Sequence, residues 1–276
     1  MDFDNKVDSK QSLIVLNQPQ THLQNKGYIE SILGLVIPNF NYDLTKNEIQ
    51  AFKELQDEIN DPEQNKILYF DQKNTNHNKF LTSLYYELTN STIKEEDIDQ
   101  EFWIQYGFQQ KNPRTDFRGS GVLGAKQLLD FVQKHKDIVK DMINPENNFF
   151  MAISSISVTS FLIKYFHLPK NLNYQENHQE LCGRKEFKNF CRMLKRNPYL
   201  LYDLHQLFLT HLFENHKKLM RQNTQAQFLL ISDKQRFQAT QSQFTKALES
   251  ANYKSLKQFK DAFWGKHNNG KHLKFD

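Results

Sequence analysis

The segment Trp103–Leu128, WIQYGFQQKNPRTDFRGSGVLGAKQL, places one arginine, Arg118, beside Gly119 and Gly121 and ahead of a run that reads as a helix. A guanidinium is planar, permanently charged and carries its N–H donors in a fixed fork, a geometry that matches a phosphate or a carboxylate. Loops held on a rigid scaffold are where such groups usually act. Pro113 fixes one φ angle of the segment, and Gly119 and Gly121 tolerate backbone shapes closed to other residues. Two roles for Arg118 follow from this chemistry. It neutralises an anionic group brought by another molecule, or it pairs with an acid of its own loop, such as Asp116, and shapes the bend. Trp103, Phe108 and Phe117 read as packing residues, and Arg114 as an ordinary solvated arginine.

Other chemistries lack their residues. There is no G-x-x-x-x-G-K-[ST] loop for the chain itself to bind GTP, no G-x-S-x-G elbow, no H-E-x-x-H pair and no kinase signature set. Gly119-Ser-Gly121-Val-Leu-Gly124 has the spacing of a dinucleotide loop but follows no predicted strand. The ten histidines are scattered, and Cys182 and Cys191 have no metal-ligand spacing. The two cysteines read as buried thiols of a reducing compartment, and neither metal nor cofactor is expected. Thirty-six basic against 32 acidic residues, without a basic stripe among aromatics, argues against nucleic acid as the partner. The acidic, polar N-terminus does not read as a signal peptide. The longest apolar stretch, Phe149–Ile163, carries several Ser and Thr and is shorter than the ~20 residues of a membrane span. It reads as a buried core helix.

The order of residues in the arginine segment resembles the signature of the ELMO (engulfment and cell motility) domain, in particular its ELMOD branch. That pattern is Trp, three residues, Gly-Phe-Gln, three residues, Pro, one residue, Thr-Asp-Phe-Arg-Gly, one residue, Gly, three residues, Leu, two residues, Leu. Trp103, Gly107, Phe108, Gln109, Pro113, Thr115, Asp116, Phe117, Arg118, Gly119, Gly121 and Leu128 all fall in register. Gln110, Ser120 and Ala125 depart from it. A second stretch, Phe150–Thr159, is similar to the family's Phe-Ala-x-x-x-Ile-Asn-x-Thr segment, with Ser157 where Asn is usual. The resemblance covers about residues 45 to 225 and thins at both ends.

The resemblance implies a GTPase-activating protein for small GTPases of the Arf and Arl group, with Arg118 matching the family's essential arginine, supplied in trans. It gives Gln109 two readings: orienting the attacking water or a switch residue, or hydrogen-bonding the loop backbone. Asp116 is expected to position Arg118 or cap the following helix, and Gly107 and Thr115 to shape the loop. The implied setting is the cytoplasm, with the cytoskeleton or cilium as a further location. The alternative is a non-catalytic ELMO-domain scaffold, a subunit of a cytoskeletal, ciliary or signalling assembly.

The elements that must hold this segment read as helices. Thr45-x-x-Glu48 is a capping box, followed by Ile49, Phe52, Leu55 and Ile59 on one face. Apolar spacing predicts a second helix over 77–89. Thr92-x-x-Glu95 is expected to cap a short third helix leading to Trp103. Further helices are predicted over 122–134, 149–166, 184–196, 199–221, 233–250 and 254–264. The sum is an all-α, irregular multi-helix bundle with an extended N-terminal arm. The expected divisions are an arm over 1–40, a helical domain over 41–265 and a polar tail over 266–276, with residues 1 to about 25 mobile.

Overall fold

Thr45 and Glu48 open the first helix reciprocally. The Glu48 carboxylate accepts the Thr45 backbone N–H at 2.7 Å, and the Thr45 hydroxyl accepts that of Glu48 at 3.4 Å. Helix α1 then runs Lys46–Asn60 and buries Phe52, Leu55 and Ile59. The structure, a computed structural model, describes residues 28–30, 36–38, 44–60, 70–71, 73–94, 98, 100–168 and 182–267. The chain divides into two units, residues 1–42 and 43–276.

In the first unit, β1 (Tyr28–Glu30) pairs antiparallel with β2 (Val36–Pro38), Ile29 opposite Ile37. No strand was expected here, because three residues are too few to show alternation. The expectation of mobility over residues 1–25 falls outside the described residues.

Every regular element among the described residues of the second unit is a helix or a 3-10 turn. After α1 come α2 (Thr75–Thr89), α3 (Gln100–Gln105), α4 (Gly121–Lys134), α5 (Lys136–Met142), α6 (Met151–Tyr165), α7 (Arg184–Leu194), α8 (Leu200–Gln222), α9 (Gln225–Leu229), α10 (Asp233–Ser250) and α11 (Leu256–His267). The long helices fall close to their predicted spans because each carries a long amphipathic period or a cap. Ser232 and Gln235, for example, form a second capping box that starts α10. One expectation fails, and two short helices are added. Residues 92–94 begin no helix; α3 starts at Gln100 and holds Trp103 within it. The helices α5 and α9 were not foreseen, since seven and five residues are too short to show a period.

Helix α4 packs between α2 and α6, α6 against α8, and α8 against α10; α7 joins α1 to α10. Phenylalanine fills these interfaces. Phe166 stacks on Phe190 at 3.9 Å between ring centroids, Phe52 meets Phe187 edge-on at 4.9 Å, and Phe208 lies 5.3 Å from Phe244. Burying each such ring contributes about 1.5–3 kcal/mol before entropy is counted. Several polar groups inside are paired across helices. Gln127 of α4 donates to the Leu201 carbonyl of α8 at 3.1 Å and accepts from Thr159 of α6 at 2.7 Å. His205 of α8 meets the Ser155 hydroxyl at 2.9 Å, and burial lowers its pKa from 6.5 to about 4. Cys182 and Cys191 are free, buried thiols.

Candidate functional site

The arginine segment is built upon the end of α3 and the start of α6. The α3 helix closes with a left-handed residue, Gly107 at φ +85°. The Phe108 N–H returns to the Trp103 carbonyl at 3.2 Å, and the Gly107 N–H to Ile104 at 3.0 Å. This is a Schellman closure, which favours glycine at the left-handed position. Glycine is required here for a second reason. A Cβ at residue 107 would sit 2.6 Å from the Met151 nitrogen and 2.7 Å from the Phe150 carbonyl carbon. That close approach lets the Tyr106 and Gly107 carbonyls accept the Ala152 and Ile153 N–H groups at 3.2 and 3.1 Å. The first turn of α6 thus finds acceptors for donors that no intrahelical partner serves.

The segment expected as a loop is a 3-10 turn over Pro113–Gly119, capped by the Asn112 side chain on the Arg114 N–H at 3.2 Å. Pro113 stands at its start, where a missing N–H costs nothing. Phe117 is fully buried, stacked on Phe70 at 5.2 Å and edge-on to Phe108 at 5.9 Å. Phe108 in turn packs edge-on to Trp103 at 5.4 Å, so Trp103, Phe108 and Phe117 form the footing of the turn. Gly121 takes φ +58° at the entry to α4, whereas Gly119 does not use a left-handed angle. A Cβ on Gly119 would come within 3.1 Å of the Ser160 hydroxyl, which places the turn on α6.

Arg118 is exposed. Residues three apart eclipse in a 3-10 turn, and the Arg118 Nε–H donates to the Thr115 carbonyl at 2.9 Å. Among the described residues no ion pair or hydrogen bond engages its Nη groups. Asp116 neither caps α4 nor bonds Arg118 directly. Its carboxylate accepts the Gln109 backbone N–H at 2.7 Å and so ties the turn to the chain leaving α3. Burial pushes the Asp116 carboxyl up, while the N–H groups of Gln109 and Gln110 and the nearby Arg118 charge pull it down. Gln109 is exposed and bonds Asp116 through its backbone. Arg114 is not a solvated arginine. It is half-buried, donates from Nε to the Asn78 side chain of α2 at 3.1 Å, and has its pKa lowered by burial. Two arginines four residues apart therefore differ in kind, one fastened to the scaffold and one presented to solvent. Of the residues that depart from the family pattern, Gln110 is exposed while Ser120 and Ala125 are buried. The Ser120 hydroxyl has no partner among the described residues.

Beside the turn lies a groove of about 940 Å³, walled by the turn on one side and the start of α10 on the other. Its floor is α6. That helix is buried at every position except Ile153, Ser154, Ser157, Ser160 and Lys164, and all five line the groove. Gln109, Asp116 and Gly119 line it too, and Arg118 stands between the last two in sequence. Sequence reasoning missed this groove. The available signal was a polar stripe at helical spacing in a run otherwise apolar, but the wall from α10 comes from residues far along the chain. Among the described residues no His, Cys, Asp and Glu group is arranged to hold a metal ion, and no helix is long and apolar enough to cross a membrane.

The fold and the site together define an all-helical domain in which buried aromatics anchor a short turn and the turn presents the exposed Arg118 beside a groove. The particular family is the ELMO/CED-12 family, to which this chain belongs: residues 60–232 match it. ELMO domain-containing protein C of Dictyostelium discoideum is 24% identical over 155 residues, 54% of this chain and 24% of that protein. Ankyrin repeat and ELMO domain-containing protein D of the same organism is 34% identical over 119 residues, 42% of this chain and 9% of its own. Human ELMO domain-containing protein 1 is 32% identical over 81 residues, 28% of this chain and 24% of its own. The chain thus spans a quarter or less of these relatives. No solved structure matches the chain significantly.

Proposed function

We propose that this chain activates GTP hydrolysis by a small GTPase of the Arf or Arl group, supplying Arg118 to the nucleotide site in trans, in the cytoplasm and in association with cytoskeletal or ciliary structures. The observation that carries the reading is the state of Arg118. It is exposed on an anchored turn, its Nε is held by the Thr115 carbonyl, and its Nη fork is uncommitted among the described residues. Holding Nε limits the conformational freedom the side chain must lose on engaging a phosphate. In GTP hydrolysis, charge spreads over the oxygens of the γ-phosphoryl group, and an arginine supplied in trans is worth roughly 10³–10⁵ in rate. Family membership and the register of the arginine motif support the same reading. Asp116, tied to the loop backbone, has the role of fixing the turn, and Gln109 that of meeting the partner at the groove edge.

A second reading, a scaffold without activity, is favoured by one observation. Leu229 and Leu230 are 64% and 82% exposed, on α9 and directly after it, an apolar surface that suits a further protein partner. Single-turnover GTP hydrolysis by a panel of Arf and Arl proteins separates the two. Activation of at least one panel member is expected; no stimulation of any member leaves the scaffold reading in place.

A further inference from the structure

We propose that the groove beside Arg118 reads the nucleotide state of the GTPase by seating one of its switch segments, with apolar side chains flanked by carboxylates. The proposal rests on the GTPase partnership above. An Arg118 guanidinium that meets the γ-phosphate obliges the surrounding surface to face the partner's nucleotide pocket. The segments that border such a pocket are the switches, ordered by the γ-phosphate and Mg²⁺ and released after hydrolysis. Asp116 and Gly119, on either side of Arg118 in the turn, both line the groove. A docked partner therefore lays a switch along it.

The groove states the chemistry of that segment. Its floor, the solvent stripe of α6 from Ile153 to Lys164, is about 17 Å long at 1.5 Å per residue, enough for about five extended residues. Ser154, Ser157 and Ser160 keep this floor low. At the end where α3 closes against the start of α6, Ile104 and Phe150 are 39% and 46% exposed, a ready contact for apolar side chains. On charge, the two lining carboxylates are already committed, Asp116 to the Gln109 N–H and Asp233 to Arg236. Lys164 and Lys234 also line the groove, and among the described residues neither has an ion-pair partner. Asp116 and Asp233 thus stand against Lys164, Lys234 and Arg236 in the lining, which leaves the groove with net positive charge, and its complement is a segment carrying carboxylates. Only the GTP state presents that segment already ordered, so the groove binds it without the entropic cost the GDP state must meet.

Two variants test this without touching Arg118. Ser157→Trp fills the floor, and Lys164→Glu combined with Lys234→Glu reverses the free charge. Each is titrated against Arf and Arl proteins loaded with a non-hydrolysable GTP analogue or with GDP, with thermal unfolding as a check on folding. Wild type is expected to prefer the GTP form. Each variant is expected to raise the Kd for that form by about tenfold or more and leave the weak GDP-form affinity unchanged. Arg118→Lys is expected to hold the Kd within about twofold while lowering turnover. The effect of charge reversal shrinks as salt is raised. If Ser157→Trp unfolds the chain, the double lysine variant carries the test, since both side chains reach solvent. Wild-type affinity in the folded variants overturns the groove assignment. Loss of binding with no stimulation by wild type supports the groove and removes the catalytic role of Arg118. Normal stimulation by the groove variants at wild-type concentrations does the reverse. Failure of every panel member to bind overturns both.

Discussion

If Arg118 has the proposed activating role, replacing it with lysine is expected to separate catalysis from folding, because the side chain does little structural work. It is exposed, and among the described residues its one hydrogen bond is from Nε to the Thr115 carbonyl at 2.9 Å. Losing a solvent-accessible hydrogen bond of that kind costs about 0.5 kcal/mol, or about 1–2 °C in melting temperature for a domain of this size. The catalytic cost is of another order. A loss of roughly 10³–10⁵ in stimulated rate corresponds to about 4–7 kcal/mol of barrier. Lysine keeps the charge but loses the planar fork, so most of that cost is expected. The concentration of activator needed for half-maximal stimulation is expected to move much less, because the contact strengthens mainly in the transition state. Arg114→Lys is the opposite case. Its Nε donates to Asn78 across to α2 in a half-buried site, so its loss is expected to cost about 1–2 kcal/mol and about 2–8 °C, with the plateau rate largely kept. The assays are thermal unfolding and single-turnover GTP hydrolysis over a range of activator concentrations. A folded Arg118→Lys protein that stimulates as well as wild type would refute the arginine assignment. So would a melting temperature that falls as far for Arg118→Lys as for Arg114→Lys.

Three further outcomes are expected. Gly107→Ala forces a left-handed angle costing about 1–2 kcal/mol and drives a methyl group into the Phe150–Met151 backbone. With two cross-element hydrogen bonds disturbed, a loss of about 2–5 kcal/mol is expected in chemical denaturation, and an unchanged midpoint would contradict the close approach. Ser120→Ala removes a buried hydroxyl that has no partner among the described residues, so stability is expected to rise by about 1 kcal/mol; a fall would show that the hydroxyl is served. His205 is held neutral in the fold, its pKa lowered by burial from 6.5 to about 4. Between those values only the unfolded chain takes up the proton, so the stability present above pH 6.5 is lost progressively as pH falls toward 4, by an amount on the order of 3 kcal/mol. Urea midpoints measured across that range in wild type and His205→Asn check this, since the variant is expected to show a shallower slope.

What the sequence decided by itself is local. Thr45 with Glu48 is a cap because the two partners lie one turn apart, and the long helices show themselves because their apolar residues repeat at the period of the helix. The arginine turn was marked by residue order, with proline, glycine and a buried phenylalanine at fixed spacing. The motif marks Arg118, but nothing local shows that Arg114 is fastened and Arg118 is not. Each is an arginine near a bend, and what fastens Arg114 is Asn78, thirty-six positions earlier on α2. Asp116 likewise serves the Gln109 N–H rather than Arg118, because the end of α3 folds back across the turn. The groove is wholly a tertiary object. Its serines look like breaks in an apolar run until α4, α8 and the arginine turn cover every other face of α6 and α10 stands beside the stripe that remains. Sequence spacing fixes which residues share a face of one helix; which face is covered, and by what, depends on contacts between residues distant along the chain.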